Sequence, residues 1–158
     1  MPAQALWLDR EDCEAVTSHP IGPGVKALAV LWHPDGDRIL VGTSDDDPRH
    51  PPFQRLLGGR IQFGERAGAA LERELMEELG LRVHVGRFVT MLEVLFSYRG
   101  APGHDIAIVY EATFDDRTVY DRAEILGLED PPHHAVWRSL SSPPVGVLLA
   151  PEGIAAFL

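Results

Sequence analysis

Apolar positions come in short blocks whose period changes along the chain. Residues 25–32 end in an uninterrupted apolar run, 27–32, the pattern of a strand buried on both faces. Pro34, Asp35, Gly36 and Asp37 then mark a turn into a second strand at 38–42. Residues 43–52, with consecutive aspartates at 45–47 and prolines at 48, 51 and 52, predict a surface loop. Residues 56–61 are apolar but broken by Gly58 and Gly59, where the backbone is expected to approach something closely. Over residues 67–79 the composition turns to Ala, Leu, Glu and Arg, which predicts a helix stopped by Gly80 just past its end. Strand-like runs follow at 82–85, 87–98 and 106–114, with 99–105 as a hairpin loop between the last two. Residues 127–134 read as a second polar loop, 135–140 as a short strand and 152–158 as a closing helix after Pro151. Strands outnumber helices and the strong helix is mid-chain, which points to an α/β or α+β layered fold. The 158 residues suit one domain, 1–158.

Charge narrows the partners. Fourteen Lys and Arg against twenty-four Asp and Glu give a formal net charge of −10. Such a field repels nucleic acid and anionic membranes, both of which are held by neutralising phosphates. A small phosphorylated substrate remains compatible if bound cations reverse the local sign. No apolar run approaches the roughly 18 residues of a membrane span, and the first residues carry no positive n-region. Cys13 has no second cysteine to bridge to, which fits a reducing, cytoplasmic setting.

The helix carries the chemistry. On a wheel at about 100° per residue with Leu71 at zero, Leu75 and Leu79 fall near 40° and 80° and form the buried stripe. Glu74, Glu77 and Glu78 fall near −60°, −120° and −20°, so three carboxylates share one arc and Glu78 borders the stripe. A solvated face would alternate signs, whereas Glu74 and Glu78 repel at i, i+4. Clustered, half-buried carboxylates are costly unless they share a cation, and oxygen-only ligands suit Mg²⁺ or Mn²⁺ better than zinc.

Gly59, Glu65, Arg73, Glu74, Leu75, Glu77, Glu78, Gly80 and Leu81 fill all nine specified positions of G-x5-E-x7-R-E-U-x-E-E-x-G-U, where U is bulky and aliphatic. By chance such a match arises on the order of once in 10⁷ chains of this length. The chain therefore resembles the Nudix hydrolases. The likeness runs past the box into the flanking strands and the strand containing Trp137, while residues 1–24 add little to it.

The resemblance implies an α/β/α sandwich with a mixed sheet and one glutamate-rich catalytic helix. It implies metal-dependent hydrolysis of a diphosphate linkage in a nucleoside diphosphate derivative or a nucleoside triphosphate, with Mg²⁺ or Mn²⁺ as cofactor. A Nudix fold that binds a nucleotide without turning it over is the alternative. Carried over, Glu74, Glu77 and Glu78 would be metal ligands, Glu65 an auxiliary carboxylate, and the carbonyl of Gly58 or Gly59 a further ligand. Arg73 would hold the glutamates in place. The general base is left among Glu74, Glu93, Asp105 and Glu111. Arg55 and Arg60, flanking the double glycine, are candidate phosphate contacts, and Tyr98 stands where some relatives carry a tyrosine. Phe53 and Trp32 are alternative stacking residues, and His133 and His134 read as loop residues. Relatives of this kind are often homodimers, so the expected partners are a small phosphorylated nucleotide and a second copy.

Overall fold

The computed structural model describes residues 22–43, 51–98, 100–128 and 134–158; at Tyr98 only the backbone is described. Cys13, His133 and most of the loops expected at 43–52 and 127–134 lie outside these residues. The elements are β1 (Gly24–Leu31), β2 (Arg38–Thr43), β3 (Phe53–Arg55), β4 (Leu57–Arg60), α1 (Ala67–Leu79), β5 (Val83–Tyr98), β6 (Ala101–Phe114), β7 (Glu124–Leu126), β8 (His134–Ser139) and β9 (Leu148–Ala150). Short 3-10 turns occupy Arg117–Asp121 and Ile154–Phe157.

One sheet runs β4-β1-β6-β5, the other β7-β8-β2-β3-β9. Both are mixed: β1 and β6 are parallel, as are β3 and β9, and the remaining neighbours are antiparallel. The near-continuous apolar character of β1 follows from burial on both faces. Ala27, Ala29 and Leu31 face α1 and its leucines, whereas Leu28 and Val30 pack with Ile39, Val41, Leu56, Val109 and Ile154 behind the sheet. Leu71 and Leu75 of α1 are 0% exposed, and burying each contributes about 1.5–3 kcal/mol.

The helix has the ends expected from the sequence. Gly80 takes φ 67 and donates its N–H to the Met76 carbonyl, closing the last turn. Three expectations need correction. The runs at 82–85 and 87–98 are one strand, β5, joined through register shifts between Val85 and Thr90. The hairpin loop at 99–105 is shorter than expected, because β6 already begins at Ala101 and pairs Ala101–His104 with Leu95–Tyr98. The closing helix at 152–158 is only a 3-10 turn, started by Gly153 at φ 89, and its buried Ile154 gives the sandwich a thin outer layer. Among the described residues no helix is long and apolar enough to cross a membrane.

Candidate active site

The candidate site forms where β4 meets α1. Gly58 holds φ 125, and a side chain there would run into the Ala27 carbonyl and Leu71. At Gly59 the space of a side chain is filled by the carboxylate of Glu74. The two glycines thus let the helix descend onto bare backbone and bring a carboxylate against β4.

Arg73 organises the acids. Its Nε donates to Glu65 Oε1 at 2.9 Å and its Nη2 to Glu65 Oε2 at 3.0 Å. Its Nη1 donates to Glu74 Oε1 at 2.8 Å and to Glu77 Oε2 at 3.1 Å. Nη2 also donates to the Arg60 carbonyl at 3.0 Å, tying the group to β4. Glu65 takes a further bond from the Gln62 N–H, and with the Arg73 fork as the larger cause its carboxyl is lowered to about 2. Arg73 is pushed above its ordinary value chiefly by Glu65, then by Glu74.

Glu78 is half buried and its Oε2 is closed off from solvent. It lines a cavity of about 10 Å³, the size of one water, together with Arg55, Gly42, Leu57 and His134. His134, expected in a loop, therefore stands at the start of β8 beside the glutamate helix, a position that no local pattern signals. The helix end is also held here, by the Leu128 N–H on the Glu78 carbonyl at 2.8 Å.

Among the described residues one guanidinium, Arg73, is paired with Glu65, Glu74 and Glu77, which leaves two negative charges in that group before Glu78 is counted. Among the described residues no three acids or histidines are drawn up around a common point at metal-binding distance, since the carboxylates converge on Arg73 instead. The donor set nevertheless fits a hard divalent cation, being all oxygen, anionic and set against a backbone without side chains.

Other expected residues lie apart. Asp105 pairs with Lys26 at 2.6 Å on the sheet face away from α1. Glu111 takes two bonds from Arg87, at 2.8 and 2.6 Å, and Glu93 meets His104 at 2.9 Å. None of these three strand acids is brought to the glutamate cluster. Arg60 contributes its carbonyl to the site, but its guanidinium lies beside Gly24 and Asp105 on the opposite face. Tyr98 ends β5 opposite Ala101, seven residues and roughly 24 Å along the strand from Met91, which shares a row with Gly59. Arg55 remains at the site; Phe53 and Trp32 are partly buried, the latter packed against the core.

Comparison with known proteins bears on the family and the fold. The family model described as NUDIX domain matches residues 22–148. NAD-capped RNA hydrolase NUDT12 of Macaca fascicularis is 35% identical over 86 residues, which cover 51% of this chain and 18% of that protein. The chain thus spans under a fifth of that relative. Among solved structures, the MutT NUDIX hydrolase of Burkholderia pseudomallei superposes with a TM-score of 0.61 at 24% identity, over 80% of this chain and 90% of that one. A UDP-X diphosphatase does so with a TM-score of 0.58 at 17% identity, over 90% of this chain and 64% of that one. At these identities the superpositions establish the fold.

Proposed function

The chain belongs to the Nudix family, and on that premise we propose that it hydrolyses a diphosphate linkage in a nucleoside diphosphate derivative or a nucleoside triphosphate. Residues 1–158 are read as a single domain of this kind. The observation that carries the reading is the Arg73 cluster, in which Glu65, Glu74 and Glu77 are gathered beside a glycine that leaves room for Glu74.

In this reading Glu74, Glu77 and Glu78 hold Mg²⁺ or Mn²⁺, with Glu65 and the Gly58 or Gly59 carbonyl in support. When bound, the cation would screen the diphosphate and lower the pKa of an attacking water. Arg73 gathers Glu65, Glu74 and Glu77 beside β4 before substrate arrives, so the carboxylates need only turn from its guanidinium toward the cation. Arg55, which lines the water-sized niche beside Glu78, would meet a substrate phosphate in this reading. Because Glu93, Asp105 and Glu111 are held elsewhere by their own partners, the proton of the attacking water falls to a helix carboxylate, with Glu74 nearest the β4 backbone.

The similar proteins, an NAD-capped RNA hydrolase and a UDP-X diphosphatase, set the breadth of the test. The panel is nucleotide sugars, dinucleoside polyphosphates, ADP-ribose, NAD-capped RNA and nucleoside triphosphates, each with Mg²⁺ or Mn²⁺ and with chelator. At least one should turn over only with metal. Glu78→Gln should lower kcat by roughly 100-fold or more, while Glu72→Gln, on the exposed side of the helix, should leave it nearly unchanged. No turnover across the panel, together with micromolar binding of a nucleotide, would instead establish a silent binding domain.

A further inference from the structure

A strand that is apolar on both faces belongs in the middle of a sheet, yet β5 closes one edge of its sheet among the described residues. On the α1 side, Phe88, Met91 and Leu95 are 54%, 62% and 71% exposed. On the other side Leu92 and Val94 are half buried, and Phe96 lies across Gly103 with 41% of its surface open. The devices that normally blunt an edge are weak here. β5 contains no proline and no lysine. Its register shifts are confined to the stretch between Val85 and Thr90, and from Thr90 to Tyr98 the ladder to β6 is unbroken. The one charged side chain in that regular half, Glu93, is engaged by His104.

We propose that the outer edge of β5, residues 90–98, pairs antiparallel with the same edge of a second copy of this chain, joining two four-stranded sheets into one of eight. The missing neighbour must be a strand tolerant of apolar contact on both faces, and β5 itself has that pattern. Charge points the same way. Residues 83–114 carry two arginines against three acids, Glu93, Asp105 and Glu111, in a chain whose formal net charge is −10. Two copies can therefore meet along this strip with most of their mutual repulsion held at a distance. A two-fold axis at Val94 sets Leu92 opposite Phe96 of the second copy. The same axis sets Glu93 opposite Leu95, so the two Glu93 carboxylates do not face each other. Nine residues give an edge roughly 30 Å long. With the open side chains of Met91, Leu95 and Phe96 this is on the scale of the roughly 800 Å² per partner that a stable interface needs.

The test is light scattering of the full chain across a dilution series, with amide hydrogen exchange read on the same samples. Wild type should be a dimer at micromolar concentration, with the amides of 90–98 protected and losing protection on dilution. Met91→Lys combined with Leu95→Lys should weaken the dimer by at least about 100-fold. Val145→Lys, at a residue 101% exposed outside any strand, should not weaken it. Should the double variant fold poorly, the dilution series on wild type still decides. A monomer at high concentration overturns the proposal: protected 90–98 amides would then mean that another part of the chain covers β5, and unprotected ones that nothing does. A dimer that survives the double variant, or whose 90–98 amides exchange freely, uses another surface and overturns it equally.

Discussion

Gly59 has no side chain, and the carboxylate of Glu74 occupies the room that one would need. Gly59→Ala must therefore push Glu74 away from its bond to Arg73 Nη1. The displaced group is the end of a flexible side chain, so the thermal midpoint should move little. Catalysis depends on placement more sharply than stability does, and kcat/KM should fall by about 100-fold. An alanine variant with wild-type turnover would remove Glu74 from the chemistry. The close approach at Gly59 was legible in the break that Gly58 and Gly59 make in an apolar run, whereas its place beside the glutamates came with the resemblance to the family's box. The strand acids were not. Glu93, Asp105 and Glu111 look in sequence like carboxylates planted in apolar runs, which is how a catalytic acid also looks. Their partners, His104, Lys26 and Arg87, come from neighbouring strands or across the hairpin, and only the register of β1, β5 and β6 reveals them. Arg60 misleads for a related reason: alternation along β4 sends its guanidinium to the face opposite Gly59.

At the scale of elements, α1 was legible to the residue because its stripe, its composition and its stop signal agree. Gly80 supplies the stop through its left-handed backbone, and Gly80→Ala should cost about 1–2 kcal/mol in denaturant unfolding. The methyl would also come within 3.0 Å of Leu128, which must shift. β3, β7 and β9 were missed because each has three residues and exists through its partners rather than through any pattern of its own. The start of β6 was hidden by Pro102 and Gly103, which read as loop. Proline is tolerated there because β1 meets β6 only from Asp105 onward, so no β1 partner awaits the absent N–H. The β2 turn is tied to the end of β8 by Asp37, which accepts from the Ser139 hydroxyl at 2.7 Å and the Ser141 N–H at 3.0 Å. These bonds, Ser139 first, hold its carboxyl below the ordinary 3.8. A depressed folded pKa contributes stability above the unfolded value, about pH 3.9, and that contribution is lost as pH falls through the folded one. Thermal midpoints taken from pH 6 downward should therefore fall less steeply below about pH 4 for Asp37→Asn than for wild type. Parallel curves would mean that these bonds do not distinguish the folded from the unfolded carboxylate.

For the whole molecule, a formal charge of −10 would suit the diphosphate substrate proposed above only if cations enter the site, and the same cations would then act on stability. Glu74 and Glu77 are drawn together on Arg73, and Glu78 shares their helix with one carboxylate oxygen closed off from water. Without metal this arrangement carries more negative charge than Arg73 offsets. Removing the charge of Glu78 should relieve part of that repulsion, so Glu78→Gln should melt at or above the wild-type temperature in chelator while losing most activity. Adding Mg²⁺ should stabilise wild type, because a ligand that binds only the folded state shifts the unfolding equilibrium by mass action. At free metal about 100 times the dissociation constant the gain is about 2.7 kcal/mol. The variant should gain distinctly less at the same concentration. Both quantities come from one set of melting curves, wild type and variant, with chelator and with a Mg²⁺ series. A variant that melts well below wild type in chelator but keeps the full Mg²⁺ shift would make Glu78 a structural group at the helix end. The metal would then have to be held by Glu65, Glu74 and Glu77 around Arg73, away from the niche that Glu78 shares with Arg55 and His134.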